Sequence, residues 1–258
     1  MEELQNFLTR FKFCPEGEML VGIEREAFLV RSGSIVPIAR EVLEMLGMNG
    51  RYGYELSACQ LEDRVGPIDI AHLLEKLCAN EVEIARAEQS LKFQRFVCEV
   101  APDDMPLDVY PDPTGRYQEI TKTMPREILL AACQVIGTHV HIGMPDTITA
   151  LLVYNNVISH WEELCRMGDG SCGRRLEIYK KMAPDFVPPH YPSWEHFYRE
   201  AVEKGFETDP RKCWHLIRLS VHGTIEFRMF GTTCELERIV TWAKRCHELC
   251  RVARETTR

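Results

Sequence analysis

Apolar and polar residues alternate from residue 19 to 30, the period of a strand. Val21, Ile23, Ala27 and Leu29 line one face and Glu24 and Glu26 the other, while Arg25 interrupts the apolar side. The pattern before it predicts a short amphipathic helix over 2–11. After a turn at Ser32-Gly33-Ser34 it predicts a helix over 39–46 and a second strand over 52–62, ending Gln60-Leu61-Glu62. Pro67 is suited to open a helix, and apolar positions at helical spacing carry that helix to about Leu91. A strand over 96–100 is followed by a surface loop over 101–113 that holds Pro102, Pro106, Pro111 and Pro113. Residues 131–143 alternate again and predict a strand, followed by a helix over 147–166. Gly168, Gly170 and Gly173 predict a flexible loop, a proline-rich stretch runs from Pro184 to Pro192, and a helix begins near Ser193. Strands over 214–221 and 224–230 flank a hairpin turn at His222-Gly223, and a last helix covers 235–254. No repeat or linker breaks the chain, so 1–258 reads as a single catalytic domain of α+β class.

Composition narrows the class. The chain has 258 residues, 45% of them hydrophobic and 27% charged, enough to bury a core without disulfides. Its 11 cysteines form no CxxC pair, and Cys246 and Cys250 lack the second ligand pair of a zinc site. Free thiols in a reducing compartment are expected. The net charge of −8, with no basic block, argues against nucleic acid. No apolar run approaches the roughly 20 residues of a membrane span, and the acidic N-terminus lacks a signal-peptide core. A soluble cytoplasmic protein is expected, with an exposed strand edge compatible with a homodimer.

The chemistry lies in four constellations. Glu24 and Glu26 share a strand face and suit a hard divalent ion such as magnesium, which takes oxygen ligands; the alternative is surface pairing with Arg25. Glu62 closes the second strand. Glu55 lies an odd seven residues earlier, so both reach one site only across a bulge or turn. His139 and His141 share a face and can bind metal together, or serve as hydrogen-bonded core histidines. Glu226 and Arg228 share a face as metal ligand and phosphate clamp, or as an exposed salt pair of little weight. No phosphate-binding glycine loop and no nucleophile elbow is present.

In order along the chain, Gly22-Ile23-Glu24-Arg25-Glu26, Tyr54-Glu55 through Leu61-Glu62, Gly115-Arg116-Tyr117, Gly137-Thr138-His139-Val140-His141-Ile142-Gly143, then Trp214, Arg218 and Gly223-Thr224-Ile225-Glu226-Phe227-Arg228 resemble the glutamate–cysteine ligase superfamily, carboxylate–amine ligase branch. The resemblance implies a glutamine-synthetase-like fold, a curled antiparallel sheet forming a funnel backed by helices. It implies magnesium held by Glu24, Glu26, Glu55, Glu62, His139 and Glu226, and ATP entering opposite the amino-acid substrate. Arg228 would steady the transferring phosphoryl group, with His139 and His141 near the nucleotide and with Arg218 and Arg116 on phosphate or substrate carboxylate. The implied reaction joins an amino-acid carboxylate to an amine through an acyl phosphate, with glutamate and cysteine as the default pair. Four features depart from the branch: the chain is shorter than most members, the stretch from Asp169 to Pro192, which helps cover the site in relatives, looks abbreviated, Gly231 stands three residues after Arg228 where an acid is common, and Arg25 matches only some branches. An ATP-dependent phosphotransferase and a non-catalytic nucleotide or amino-acid binder are the competing readings.

Overall fold

The computed structural model describes residues 2–47 and 49–255. Eight strands among them form one sheet: β1 (Val21–Arg31), β2 (Ser34–Ile35), β3 (Tyr52–Tyr54), β4 (Gln60–Ile68), β5 (Gln94–Phe96), β6 (Thr138–Gly143), β7 (Ile217–Ser220) and β8 (Thr224–Phe230). The main order is β3-β4-β1-β6-β8-β7, with β2 and β5 also paired to β1. Every pairing is antiparallel. The sheet is open and backed by helices, the expected α+β class.

One sheet face is apolar because the strand period puts it there. Val21, Ile23, Val140, Ile142, Ile225 and Phe227 are buried. They join a core with residues of the helices Thr147–Val157, Trp194–Lys204 and Leu236–Glu255. In the last helix Ile239, Trp242, Ala243, Cys246, Leu249, Cys250 and Ala253 make the buried stripe. Cys246 and Cys250 are thus core residues, and all 11 cysteines are free thiols. Arg25, the polar interruption on this side of β1, pairs with Asp63 at 2.7 Å and Glu81 at 2.8 Å. It therefore does not neutralise Glu24 or Glu26.

Several boundaries differ from the sequence pattern. The expected strand over 52–62 is two strands, β3 and β4, with a turn between them. Pro67 does not open the long helix; it lies within β4, and that helix is Leu73–Leu91. A 3-10 turn at Ile70–His72 precedes it, where the Asp69 side chain accepts from the Ala71 N–H at 2.8 Å. Gly66 explains the strand's continuation: its φ is +104°, and a Cβ there would lie 2.3 Å from the Val21 carbonyl oxygen, so the alternation passes through a position only glycine fills. The expected strand over 131–143 begins only at Thr138, because residues Arg126–Gln134 form a helix that buries Ala131, Cys133 and Gln134. The 147–166 helix breaks at Ile158–His160 into Thr147–Val157 and Trp161–Gly168. The first helix ends at Leu8, and the strand expected over 96–100 is Gln94–Phe96. Between the glycine loop and the proline-rich stretch, where the sequence pattern assigns no element, Arg174–Met182 is helical. No helix among the described residues is long and apolar enough to cross a membrane.

Candidate functional site

Register assembles the polar face. Across β1 and β4, Glu24 stands opposite Arg64 and Glu26 opposite Glu62. Across β1 and β6, Glu24 stands opposite His139, and across β6 and β8, His141 stands opposite Glu226. Arg218 of β7 faces Glu226 in turn. Five strands thus present acids, histidines and arginines to a single cavity of about 1240 Å³.

Two residues along a strand are separated by about 6.5–7 Å, so Glu24 and Glu26 serve two neighbouring clusters. In the first, Glu24, His139 and Glu226 bring a donor atom each within 4.8 Å of one another; in the second, Glu26, Glu55 and Glu62 do the same. Glu55 joins despite its odd spacing because the turn between β3 and β4 resets the face. Among the described residues these are the two groups of three or more acids, histidines or cysteines close enough to hold a metal ion.

The clusters differ in charge. Burial opposes ionisation of Glu24, yet the nearby charge of His141 and the hydrogen bond with His139 hold its carboxyl well below the usual range. His139 Nδ1 lies 3.1 Å from Glu24. Burial also opposes ionisation of Glu226, but Arg218 and Arg228 hold it well below the usual range. Arg218 donates to its two oxygens at 2.7 and 3.0 Å, and Arg228 also donates to it. The pairing of Glu226 with Arg228 is therefore buried, unlike the exposed salt pair of the alternative reading. Burial, with Arg228 alongside, lowers His139 to about 4. Ionised carboxylates and a neutral imidazole are the states that metal coordination requires.

The second cluster has fewer cations than carboxyls. Burial and the charge of Glu62 raise Glu26 to about 7, and burial and Glu26 raise Glu55 to about 7. Burial, with Glu24 and Glu55, raises Glu62 well above its ordinary value. Arg64 pairs with Glu62, and the Gly137 N–H donates to Glu26 at 2.7 Å. Three carboxyls, one buried and two half-buried, against one paired arginine fit a divalent cation, which would take the place of the protons. Two orphaned polar atoms reinforce the fit to a charged ligand: His141 Nε2 and Arg228 Nε are buried without a hydrogen-bond partner.

Arg116 reaches the same cavity and is held by Asp209 at 3.2 Å. Every residue proposed from sequence for metal, nucleotide or catalysis thus lines one cavity. Two others were missed. Arg64 had a signal, since it alternates with Glu62 on β4. Arg175 had none: its guanidinium is buried and donates to the backbone carbonyls of Ile136 at 2.7 Å, Met229 at 3.2 Å and Arg228 at 3.3 Å. Nothing in the identity of those partner residues marks the contacts.

No family model matches the chain. Curated proteins do. One from Mycolicibacterium vanbaalenii is 27% identical over 86% of this chain and 65% of its own length. One from Leifsonia xyli is 24% identical over 86% and 64%, and one from Saccharopolyspora erythraea 28% over 92% and 66%. Each is named "Putative glutamate--cysteine ligase 2" or "2-2". The chain spans just under two thirds of the length of these relatives. Its likeness to proteins of that name extends over most of its residues, in keeping with the resemblance carried by the ordered motifs. Among solved structures, one described as apo GmaS without ligand is similar with a TM-score of 0.46 and 14% identity, over 96% of this chain and 58% of that one.

Proposed function

We propose that the chain is an ATP- and magnesium-dependent carboxylate–amine ligase of the glutamate–cysteine ligase type. The observation that carries this reading is the pair of three-donor clusters, set side by side on one sheet face and flanked by Arg218 and Arg228. Phosphoryl transfer asks a protein for positioning and charge neutralisation more than for a covalent nucleophile, and these residues offer both. Glu24, His139 and Glu226 would hold one magnesium ion and Glu26, Glu55 and Glu62 another. Bound there, magnesium would neutralise phosphate charge and polarise the transferring group.

Each step balances with these partners. A substrate carboxylate oxygen attacks the γ-phosphorus, the bond to the ADP oxygen breaks, and an acyl phosphate forms. The amine nitrogen then attacks the acyl carbon, phosphate leaves, and the amine gives a proton to water. Arg228, which lines the cavity beside Glu226, meets the transferring phosphoryl oxygens, and Arg218 orients Glu226 from the other side. Arg10 and Lys12 line the cavity at the end where β1 begins, with no ion pair among the described residues. That mouth suits a polyphosphate. Arg116 lines the cavity on the side of Glu55 and Glu62, the mouth left for the amino-acid substrates.

The test mixes the full chain, ATP, Mg²⁺ and pools of amino acids and amines, and follows ADP. Release that needs both an acid and an amine is expected, with an amide as product. No amino-acid-dependent ADP from any pool sinks the proposal, and a phosphorylated acceptor in place of an amide turns it into phosphotransfer.

A further inference from the structure

The two mouths of the cavity differ in kind. Around the mouth near Glu55 and Glu62, the apolar part of the lining includes Tyr117, Ile120, Met124, Ile128, Met182 and Trp214. These come from three separate pieces of chain: the helices at Arg116–Thr121 and Arg126–Gln134 with their connection, the helix Arg174–Met182, and the segment before β7. Tyr117 belongs to this end because Glu55 and Glu62 help to raise its phenol. Trp214 is 39% exposed, while its ring lies under the Arg228 guanidinium at 5.6 Å. The open part of this ring adds to the contiguous apolar lining, and it is such a continuous patch that marks a ligand-binding surface.

Arginines outnumber carboxylates on the rim of this mouth. Arg116 and Arg211 share the single carboxylate of Asp209, at 3.2 and 2.7 Å, which leaves one positive charge in excess. A substrate carboxylate would satisfy it. An apolar wall below a cationic rim is complementary to a molecule with an apolar side chain and a carboxylate. The default partner, cysteine, is too small to cover such a wall.

We propose that the amine accepted at this mouth is an α-amino acid with a large apolar side chain, aliphatic or aromatic, seated on Trp214 and the Ile120–Ile128 wall. The assignment of this molecule as the amine acceptor rests on the ligase reading; the apolar subsite itself rests on the lining and the rim. One missing methylene in a hydrophobic pocket costs about tenfold or more in discrimination, so leucine and phenylalanine are separated from glycine and cysteine by a wide margin.

Calorimetry on the full chain, with Mg²⁺, a non-hydrolysable ATP analogue and glutamate, tests this directly. The titrants are L-leucine, L-phenylalanine, L-cysteine, glycine and the decarboxylated isopentylamine and phenethylamine. Leucine or phenylalanine is expected to bind at least tenfold more tightly than glycine or cysteine, and the decarboxylated amines more weakly than their parent acids. Ile128→Asn is expected to weaken leucine and phenylalanine tenfold or more while leaving the ATP analogue within twofold. Apolar amino acids that bind no better than glycine overturn the inference. So does an Ile128→Asn variant that loses the ATP analogue instead, since the wall then holds the base of the nucleotide. ADP release in the same mixtures is scored separately. Tight leucine binding without any ADP keeps the subsite and sinks the ligase; ADP driven by cysteine alone keeps the ligase and sinks the apolar acceptor.

Discussion

Glu226 shows how much one residue can be asked to do. It is fully buried, and both of its oxygens already accept from arginines. Substitution Glu226→Gln therefore removes a proposed metal ligand and also leaves Arg218 and Arg228 without their counter-charge. Breaking a buried pair by removing one partner costs about 3–5 kcal/mol. ADP release is expected to fall 100-fold or more and Tm by roughly 5–10 °C, read by coupled assay and calorimetry; an unchanged Tm would show that the arginines do not depend on this acid. Arg228→Lys keeps the charge but loses the planar fork, so kcat should drop with little loss of stability. The acids of the second cluster give a pH signature. Glu26 and Glu55 titrate near 7 when folded and at ordinary carboxyl values when unfolded. The folded chain thus binds more protons between those limits. Metal-free stability should fall as pH rises from about 4.5 to about 7, while magnesium affinity should rise over the same window as the carboxyls ionise. Thermal melts with chelator and calorimetric titrations with Mg²⁺ across that range check the two slopes, and a flat metal-free profile would contradict the burial of these acids. From sequence, the alternation exposed Glu24, Glu26, His139, His141, Glu226 and Arg228 as face-sharing pairs. It had no means of finding Arg175, whose partners are backbone carbonyls.

Among the elements, the helix Arg174–Met182 and the end of β8 hold the clusters in place. Gly137 is where they meet. Its N–H donates to Glu26, and a Cβ there would lie 2.3 Å from an Arg175 nitrogen and 2.7 Å from the Phe230 carbonyl oxygen. The arginine can shift but the backbone oxygen cannot. Gly137→Ala should therefore cost about 1–3 kcal/mol, as overpacking usually does, and weaken magnesium binding because Glu26 loses its donor. Urea unfolding and metal titration measure the two effects; a variant as stable as the parent would remove Arg175 from its place beside this glycine. Strand pairing accounts for the errors of element reading as well. Gly66 and Pro67 signal a stop in isolation, yet β4 continues through them because its neighbour β1 accepts the close approach. The helix Arg126–Gln134 was hidden because a short amphipathic helix and an alternating strand share apolar spacings over a few residues.

For the whole molecule, the cavity is a charge store waiting for cations, and that gives a test free of any substrate. A ligand that binds only the folded state stabilises it by mass action, by about 2.7 kcal/mol at 100 times its Kd. Millimolar Mg²⁺ should raise Tm by several degrees and chelator should reverse it; a Tm blind to both Mg²⁺ and Mn²⁺ would end the metal reading at once. Local periodicity determined which residues share a face, because side-chain direction along a strand follows from backbone geometry alone. It determined the α+β class for the same reason. Tertiary structure decided the rest: which strands are neighbours and in what register, that the β3–β4 turn carries Glu55 back to Glu62, and that Arg25 turns away to Asp63 while Arg218 and Arg228 converge on Glu226. Those outcomes depend on contacts between segments up to some 200 residues apart, such as Thr232 donating to the Glu26 carbonyl. Which distant partner satisfies a buried charge is set by the packing of the whole chain, and no local pattern encodes it.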